Sequence, residues 1–163
     1  MVNFLEQLVA EWYESRGYFV RRNVRVGLRP GGGYEGELDV VAFHPGEKRL
    51  VHIEPSMDAD SWDQRDKRFE HKFMVGKKYI FGKKDIPGLF AGFEPLPEIE
   101  QIALLVFGSA KGRSTIGGAK LLMIGDLLRE IREELLTRTV ERSVVPEQYQ
   151  ILRALQFVAH YWR

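Results

Sequence analysis

The chain has 163 residues, 44% of them hydrophobic, which is enough to bury one substantial core, so we expect a single domain over residues 1–163. It contains no cysteine, which excludes a disulfide framework and thiolate metal ligands. Its net charge is +1, and it has neither a basic-then-apolar leader nor a run of 18 apolar residues. We therefore expect a cytoplasmic protein with no membrane partner.

The first half of the chain predicts a helix, three strands and a second helix. The first helix covers residues 3–16, and Gly17 ends it. Ser61 and Gln64 have the spacing of a capping box and open a helix that runs to about Phe73. The apolar stripe of the first helix is Leu5, Leu8, Val9 and Trp12, and the strands cover residues 18–26, 37–43 and 49–54.

The second half predicts two more strands and two helices. Residues 76–100 are rich in glycine and proline and read as irregular, apart from a short strand at 79–81. Asp126 is expected to cap a helix that runs to about Arg138, and a last helix follows Pro146. The strands cover 101–107 and 120–124, and the inward stripes are Leu128, Ile131, Leu135 and then Ile151, Leu155, Val158, Trp162. This order predicts an α/β fold, with a mixed central sheet flanked by helices, a core over about 3–125 and C-terminal helices over about 126–163.

Two carboxylates stand out on the second and third strands. Side chains two apart share a face, so Asp39 lies on the face of Val41, and Glu54 on the face of His52. If these strands pair antiparallel across the turn at 44–48, Asp39 and Glu54 come close together at one end of the sheet. Two such carboxylates require a proton or a cation between them. Mg²⁺, with the carbonyl of Pro55 as a further ligand, is the usual all-oxygen solution, and phosphodiester hydrolysis is the matching chemistry.

Structural roles for the same residues stay open. Asp39 could pair with Arg22 or Arg25, and Glu54 could cap the loop that follows it. Structural roles are open for three other side chains as well: Glu6 could close a capping box with Asn3, Glu37 could be a surface acid, and His52 could be a hydrogen-bonded sheet histidine.

Residues 3–75 resemble the PD-(D/E)xK nuclease superfamily, which includes restriction endonucleases and archaeal Holliday-junction resolvases. The resemblance is carried by segments 4–6, 16–20, 36–42 and 51–56 (FLE, RGYFV, GELDVVA and VHIEPS). It implies a restriction-endonuclease-like fold, with Asp39 and Glu54 as the acids that bind Mg²⁺ or Mn²⁺ and Glu6 as a further acid on the first helix.

The chain departs from the family pattern at one position. Members carry a lysine two residues after the second acid, where it orients the attacking water, and this chain has Ser56 there. Serine supplies no positive charge. A lysine from the next helix could replace it, either Lys72 or Lys67, and we predict Lys72 because it shares a helical face with Arg65 and Arg68.

A basic stretch suggests a nucleic-acid surface. Cations and aromatic residues alternate over residues 65–84, although a solvated helix face is an equally good explanation. The sequence thus predicts a metal-dependent DNA endonuclease or, as an alternative, an inactive nuclease-fold module for nucleic-acid binding or assembly, with a homodimer possible through the last helix. The expected phosphate-binding residues are Arg65, Arg68, Lys77, Lys78, Lys83, Lys84, Lys111 and Arg113.

Overall fold

The computed structural model describes residues 3–82 and 94–162, so Lys83 and Lys84 lie outside the described residues. The helices are α1 (Phe4–Glu14), α2 (Trp62–Tyr79), α3 (Ile124–Leu136) and α4 (Gln150–Tyr161). The strands are β1 (Phe19–Leu28), β2 (Tyr34–His44), β3 (Arg49–Ser56), β4 (Ile99–Leu105), β5 (Thr115–Ile116) and β6 (Ala119–Met123). None of the helices within these ranges offers a stretch long and apolar enough to cross a membrane.

The six strands form one mixed sheet in the order β1-β2-β3-β4-β6-β5. The first three strands are antiparallel neighbours, whereas β3, β4 and β6 run parallel, and β5 turns back along β6. A parallel pair needs a crossover, and α2 lies within the connection from β3 to β4. The predicted α/β class, a mixed central sheet flanked by helices, is confirmed.

Helices cover both faces of the sheet. On one face, α1, α3 and α4 enclose a core that includes Trp12, Val40 and Ile53. On the other face, α2 packs over two separate apolar clusters, one around Val41 and Val75 and the other around Phe69 and Phe73. The candidate site lies beneath α2 and is formed by Asp39 of β2, Glu54 of β3 and Lys72 of α2 itself.

The second helix is longer than its sequence pattern suggested. It continues to Tyr79, with Ile80 as its C-cap, so the predicted strand at 79–81 is wrong. The glycine and proline content of residues 76–100 predicts irregular structure there, but α2 continues through Gly76. Phe69, Phe73, Gly76 and Ile80 continue one buried stripe at helical spacing.

The C-terminal helices also differ in detail from the expectation. Met123, not Asp126, is the N-cap of α3, and Asp126 pairs instead with Arg129. In α4 the buried positions are Leu152 and Gln156, while Val158 and Trp162 of the predicted inward stripe are exposed. Leu127 likewise takes the inward position expected for Leu128, and the two-residue strand β5 was not predicted.

Candidate active site

Strand register brings Asp39 and Glu54 together. The antiparallel pairing of β2 and β3 runs from His44 opposite Arg49 to Val40 opposite Ile53, and one further step places Asp39 opposite Glu54. At this point the backbone N–H of Asp39 donates to Oε1 of Glu54 over 3.2 Å. The predicted meeting of the two carboxylates at one end of the strand pair is confirmed.

Lys72 of α2 completes the cluster. Its Nζ donates to Oδ2 of Asp39 over 2.9 Å and also to Oε2 of Glu54. The Glu54 side chain is fully buried, that of Asp39 is 14% exposed, and that of Lys72 is 32% exposed. The cluster therefore opens to solvent on the side of Asp39 and Lys72. Lys67, the other lysine considered for this position, is exposed.

The electrostatics of the cluster follow from two carboxylates that share one ammonium group. Burial raises the pKa of Asp39 to about 8, and the neighbouring Glu54 adds to this rise against the effect of Lys72. Burial acts in the same direction on Glu54, but hydrogen bonds with His52 and Asp39 and the charge of Lys72 outweigh it, so the pKa of Glu54 is lowered. Burial acts to lower the pKa of Lys72, but the charges and hydrogen bonds of Glu54 and Asp39 have the larger effect, so the pKa of Lys72 is raised. Lys72 therefore stays charged, and Asp39 keeps its proton to a higher pH than an ordinary aspartate does.

A buried hydrogen-bond network lies behind Glu54. The ring of His52, which is fully buried, contacts Oε1 of Glu54 through Nε2 at 2.7 Å. The amide nitrogen of Gln101 on β4 lies 3.3 Å from Nδ1 of His52 and donates to the carbonyl of Phe73 over 2.9 Å. His52 was expected to be a hydrogen-bonded sheet histidine, which is confirmed. Its link to Glu54 could have been anticipated from their spacing of two on one strand.

An open cavity adjoins the cluster. It has a volume of about 580 Å³. Arg68 lies beside it, donates to Ser56 Oγ over 3.3 Å and is paired with Asp58 and Asp60 at 2.8 and 2.5 Å. The lining residues are Asn3, Phe4, Pro55, Ser56, Met57, Asp58, Arg68, Phe69 and Lys72. The first turn of α1 and the end of β3 thus frame a cavity that contacts Lys72.

Two other acids behave differently from the pair. Asn3 caps α1 by accepting from the N–H of Leu5. The carboxylate of Glu6 makes no hydrogen bond or ion pair within residues 3–82 and 94–162, so the structure does not join it to the cluster. Glu37 is exposed and pairs with Arg25 at 3.4 Å, which confirms its interpretation as a surface acid. In the described part of the chain, no group of three or more histidine, cysteine or acid ligands converges.

The predicted basic surface is reduced by one member. Arg65 is only 3% exposed and donates to the carbonyl of Asp58. It is therefore not exposed for phosphate binding, contrary to the prediction. A run of charges predicts an exposed cation here, but α2 buries this position. Lys77, Lys78, Lys111 and Arg113 are exposed, although Lys78 pairs with Glu35 and Arg113 with Asp66.

Comparisons with known proteins add little about function. No protein-family model matches the chain, and no curated protein matches it. Among solved structures, the chain is similar to the crystal structure of a protein of unknown function, AF1548, with 17% sequence identity and a TM-score of 0.48. The similarity covers 96% of this chain and 97% of that one.

Proposed function

We propose that this chain is a metal-dependent nuclease that hydrolyses phosphodiester bonds in DNA. The observation that carries the proposal is one ammonium group, Lys72 Nζ, bound by both Asp39 and Glu54 beside an open cavity. The resemblance to the PD-(D/E)xK superfamily calls for these two acids and one positive charge, and Lys72 provides that charge from α2.

The donor set of the cluster fits a hard divalent cation. Oδ2 of Asp39 and Oε2 of Glu54 already converge on one positive charge, and both are the carboxylate oxygens that Mg²⁺ or Mn²⁺ prefers. Because the pKa of Asp39 is raised to about 8 by burial and Glu54, a cation that binds here displaces the proton of Asp39. With both acids then ionised and Lys72 protonated, the cluster has one uncompensated negative charge. When bound, the ion would neutralise phosphate charge and supply an acidified water.

The chain's own residues have separate tasks in this proposal. Glu54 is buried and held from behind, so it gives the cluster a fixed charge. Asp39 is the solvent-side member of the pair. Lys72 stays charged and is in position to stabilise negative charge that develops on the phosphate, which Ser56 cannot do because its hydroxyl is engaged with Asp58 and Arg68.

Substrate binding in this proposal uses exposed cations on α2 and on the loop before β5. Lys77 lies on the last turn of α2, while Lys111 and Arg113 lie in the loop. Such contacts are made to the phosphate backbone and carry no sequence information. A cytoplasmic location and a homodimer through α4 remain predictions.

A second candidate is a nucleic-acid-binding module without catalysis. Ser56 favours it, since the position at which the superfamily carries its lysine is occupied here by a hydroxyl that contacts Asp58 and Arg68. The two candidates share a basic surface and differ in whether the acids are needed for anything beyond the fold.

The test is a cleavage assay with linear duplex, single-stranded and branched DNA and with RNA, in Mg²⁺, Mn²⁺ or EDTA. We expect cleavage of DNA that needs the metal and is lost in Asp39→Asn and Glu54→Gln, while DNA affinity is kept. Lys72→Met should lower kcat by about 10²–10³-fold, the usual cost of removing one charge-stabilising donor. Glu37→Gln, on the same strand as Asp39, and Lys67→Met, an exposed lysine on the same helix as Lys72, are matched controls, and both should cleave normally. Metal-independent binding without cleavage on every substrate would favour the binding module.

A further inference from the structure

The buried network behind Glu54 fixes the protonation of His52. The Gln101 side-chain amide must present its NH₂ group to the carbonyl of Phe73, because two oxygens cannot hydrogen-bond to each other. The same NH₂ group faces Nδ1 of His52, which therefore accepts. A neutral imidazole that accepts at Nδ1 carries its proton on Nε2, and this N–H donates to Oε1 of Glu54 over 2.7 Å.

This arrangement determines how the Glu54 carboxylate is oriented. Its Oε1 accepts from both the ring of His52 and the backbone N–H of Asp39. Its other oxygen, Oε2, accepts from Nζ of Lys72. Because His52 and Glu54 are both fully buried, no water competes for these bonds.

We propose that His52 is a positioning residue for the nuclease site, with Gln101 setting its tautomer and Gly76 making room for its ring. This inference rests on the proposed function and assigns a role to a side chain that touches neither phosphate nor metal. Partners of this kind orient a metal-binding group, and their loss typically lowers metal affinity or activity by about 10–100-fold.

Gly76 provides independent support for the role of the ring. A Cβ at this position would lie 2.4 Å from both Cε1 and Nδ1 of His52, far closer than any contact a side chain tolerates. A glycine in a helix interior costs about 1 kcal/mol relative to alanine, so α2 accepts a local penalty here. Lys72 lies one turn before Gly76, and the close approach therefore also brings the ammonium group over Glu54.

The first experiment reads the tautomer directly in the wild-type protein. Two-bond ¹H–¹⁵N correlation NMR distinguishes a ring protonated at Nε2 from one protonated at Nδ1 and from imidazolium. At pH 7.5 without metal, we expect His52 to be neutral with its proton on Nε2. A ring protonated at Nδ1, or a freely exchanging mixture, would overturn the proposal regardless of whether the protein cleaves DNA.

The second experiment separates positioning from packing. His52→Leu fills the space without a donor, whereas the amide of His52→Gln can still donate to Glu54 and accept from Gln101. We expect His52→Leu to weaken Mn²⁺ binding, measured by calorimetry, by about 10–100-fold and to lower kcat with little change in KM, while His52→Gln recovers most of both. Val75→Ala, a buried change elsewhere on α2, controls for general destabilisation.

The outcomes keep the two proposals apart. If the wild-type protein cleaves nothing but the tautomer is as expected and His52→Gln rescues Mn²⁺ affinity, the nuclease proposal fails and the positioning role stands. If cleavage depends on Asp39 and Glu54 but His52→Leu and His52→Gln match wild type, the positioning proposal fails alone. Should both variants prove unfoldable, the wild-type tautomer decides the question.

Discussion

Asp39→Asn should stabilise the metal-free protein, and the gain should grow with pH. The reason is that burial and Glu54 raise the pKa of Asp39 to about 8, so the folded state holds a proton there more tightly than the unfolded chain does. Stability from such a group is present below the unfolded pKa and is lost as pH rises through the folded one. Asparagine carries no such group, so the variant should not show this loss.

The size of the effect can be bounded from the structure. One pKa unit corresponds to about 1.4 kcal/mol, so the full shift sets an upper limit of several kcal/mol. Nζ of Lys72 donates to Oδ2 of Asp39 in the wild-type protein. Asparagine carries no negative charge for this ammonium group, and the loss of that attraction offsets part of the gain in stability. We therefore expect the free energy of unfolding to rise by about 1–3 kcal/mol at pH 8.5 and to change by less than about 1 kcal/mol at pH 5.

Urea denaturation in EDTA at pH 5, 7 and 8.5 measures this difference. Glu37→Gln, two residues away and exposed, should stay within about 0.5 kcal/mol of wild type at each pH. Mn²⁺ added at pH 7.5 should stabilise wild type but not Asp39→Asn. The reasoning is refuted if Asp39→Asn is destabilised by more than about 1 kcal/mol and the loss disappears at low pH. That result would make Asp39 and Lys72 a structural ion pair.

Two further predictions concern the helices. The buried carboxylate of Glu11 accepts from the N–H groups of Ile151 and Leu152 at 2.9 and 3.0 Å, and α4 has no side-chain cap of its own. Glu11→Ala should therefore lower the free energy of unfolding by about 3–5 kcal/mol in urea denaturation. It should also expose the amides of α4 to hydrogen exchange. A cost below about 1 kcal/mol would contradict this role. Lys77→Ala should flatten the slope of log K for DNA binding against log salt by about 1, while Arg65→Met should leave that slope unchanged and lower stability instead. Equal slopes for the two variants would remove Lys77 from the binding surface.

The strands and the acid pair could be predicted because both depend on local sequence. Alternation assigns each side chain of a strand to a face, and a short turn at 44–48 forces β2 and β3 to pair antiparallel. Together these two facts bring Asp39 opposite Glu54 with no knowledge of the rest of the chain. Lys72 could also be predicted, because helical spacing places it on the same face of α2 as Arg65 and Arg68.

The errors came from positions where tertiary contacts override local preference. A glycine commonly marks the end of a helix. Gly76 instead lies inside α2, where the absence of a side chain allows the helix to pass close to the ring of His52. In α4, Gln156 is buried because its amide binds the backbone of Val145, Arg138 and Ser143, a set of partners no hydrophobic pattern reveals. Arg65 is the same case with a charge, because its guanidinium is buried against the carbonyl of Asp58.

The residues that the sequence did not mark lie on the side of the site away from solvent. Gln101 is 49 positions from His52, and it reaches the network only because β4 joins β3 in parallel and aligns the two residues. A parallel register is set by a long crossover and not by a turn, so no local pattern predicts it. Solvent-facing groups such as Asp39 and Lys72 can be inferred from chemistry, while the groups that orient them require the fold. The partly exposed charges of Asp39 and Lys72 could therefore be predicted, whereas the buried neutral network that holds Glu54 could not.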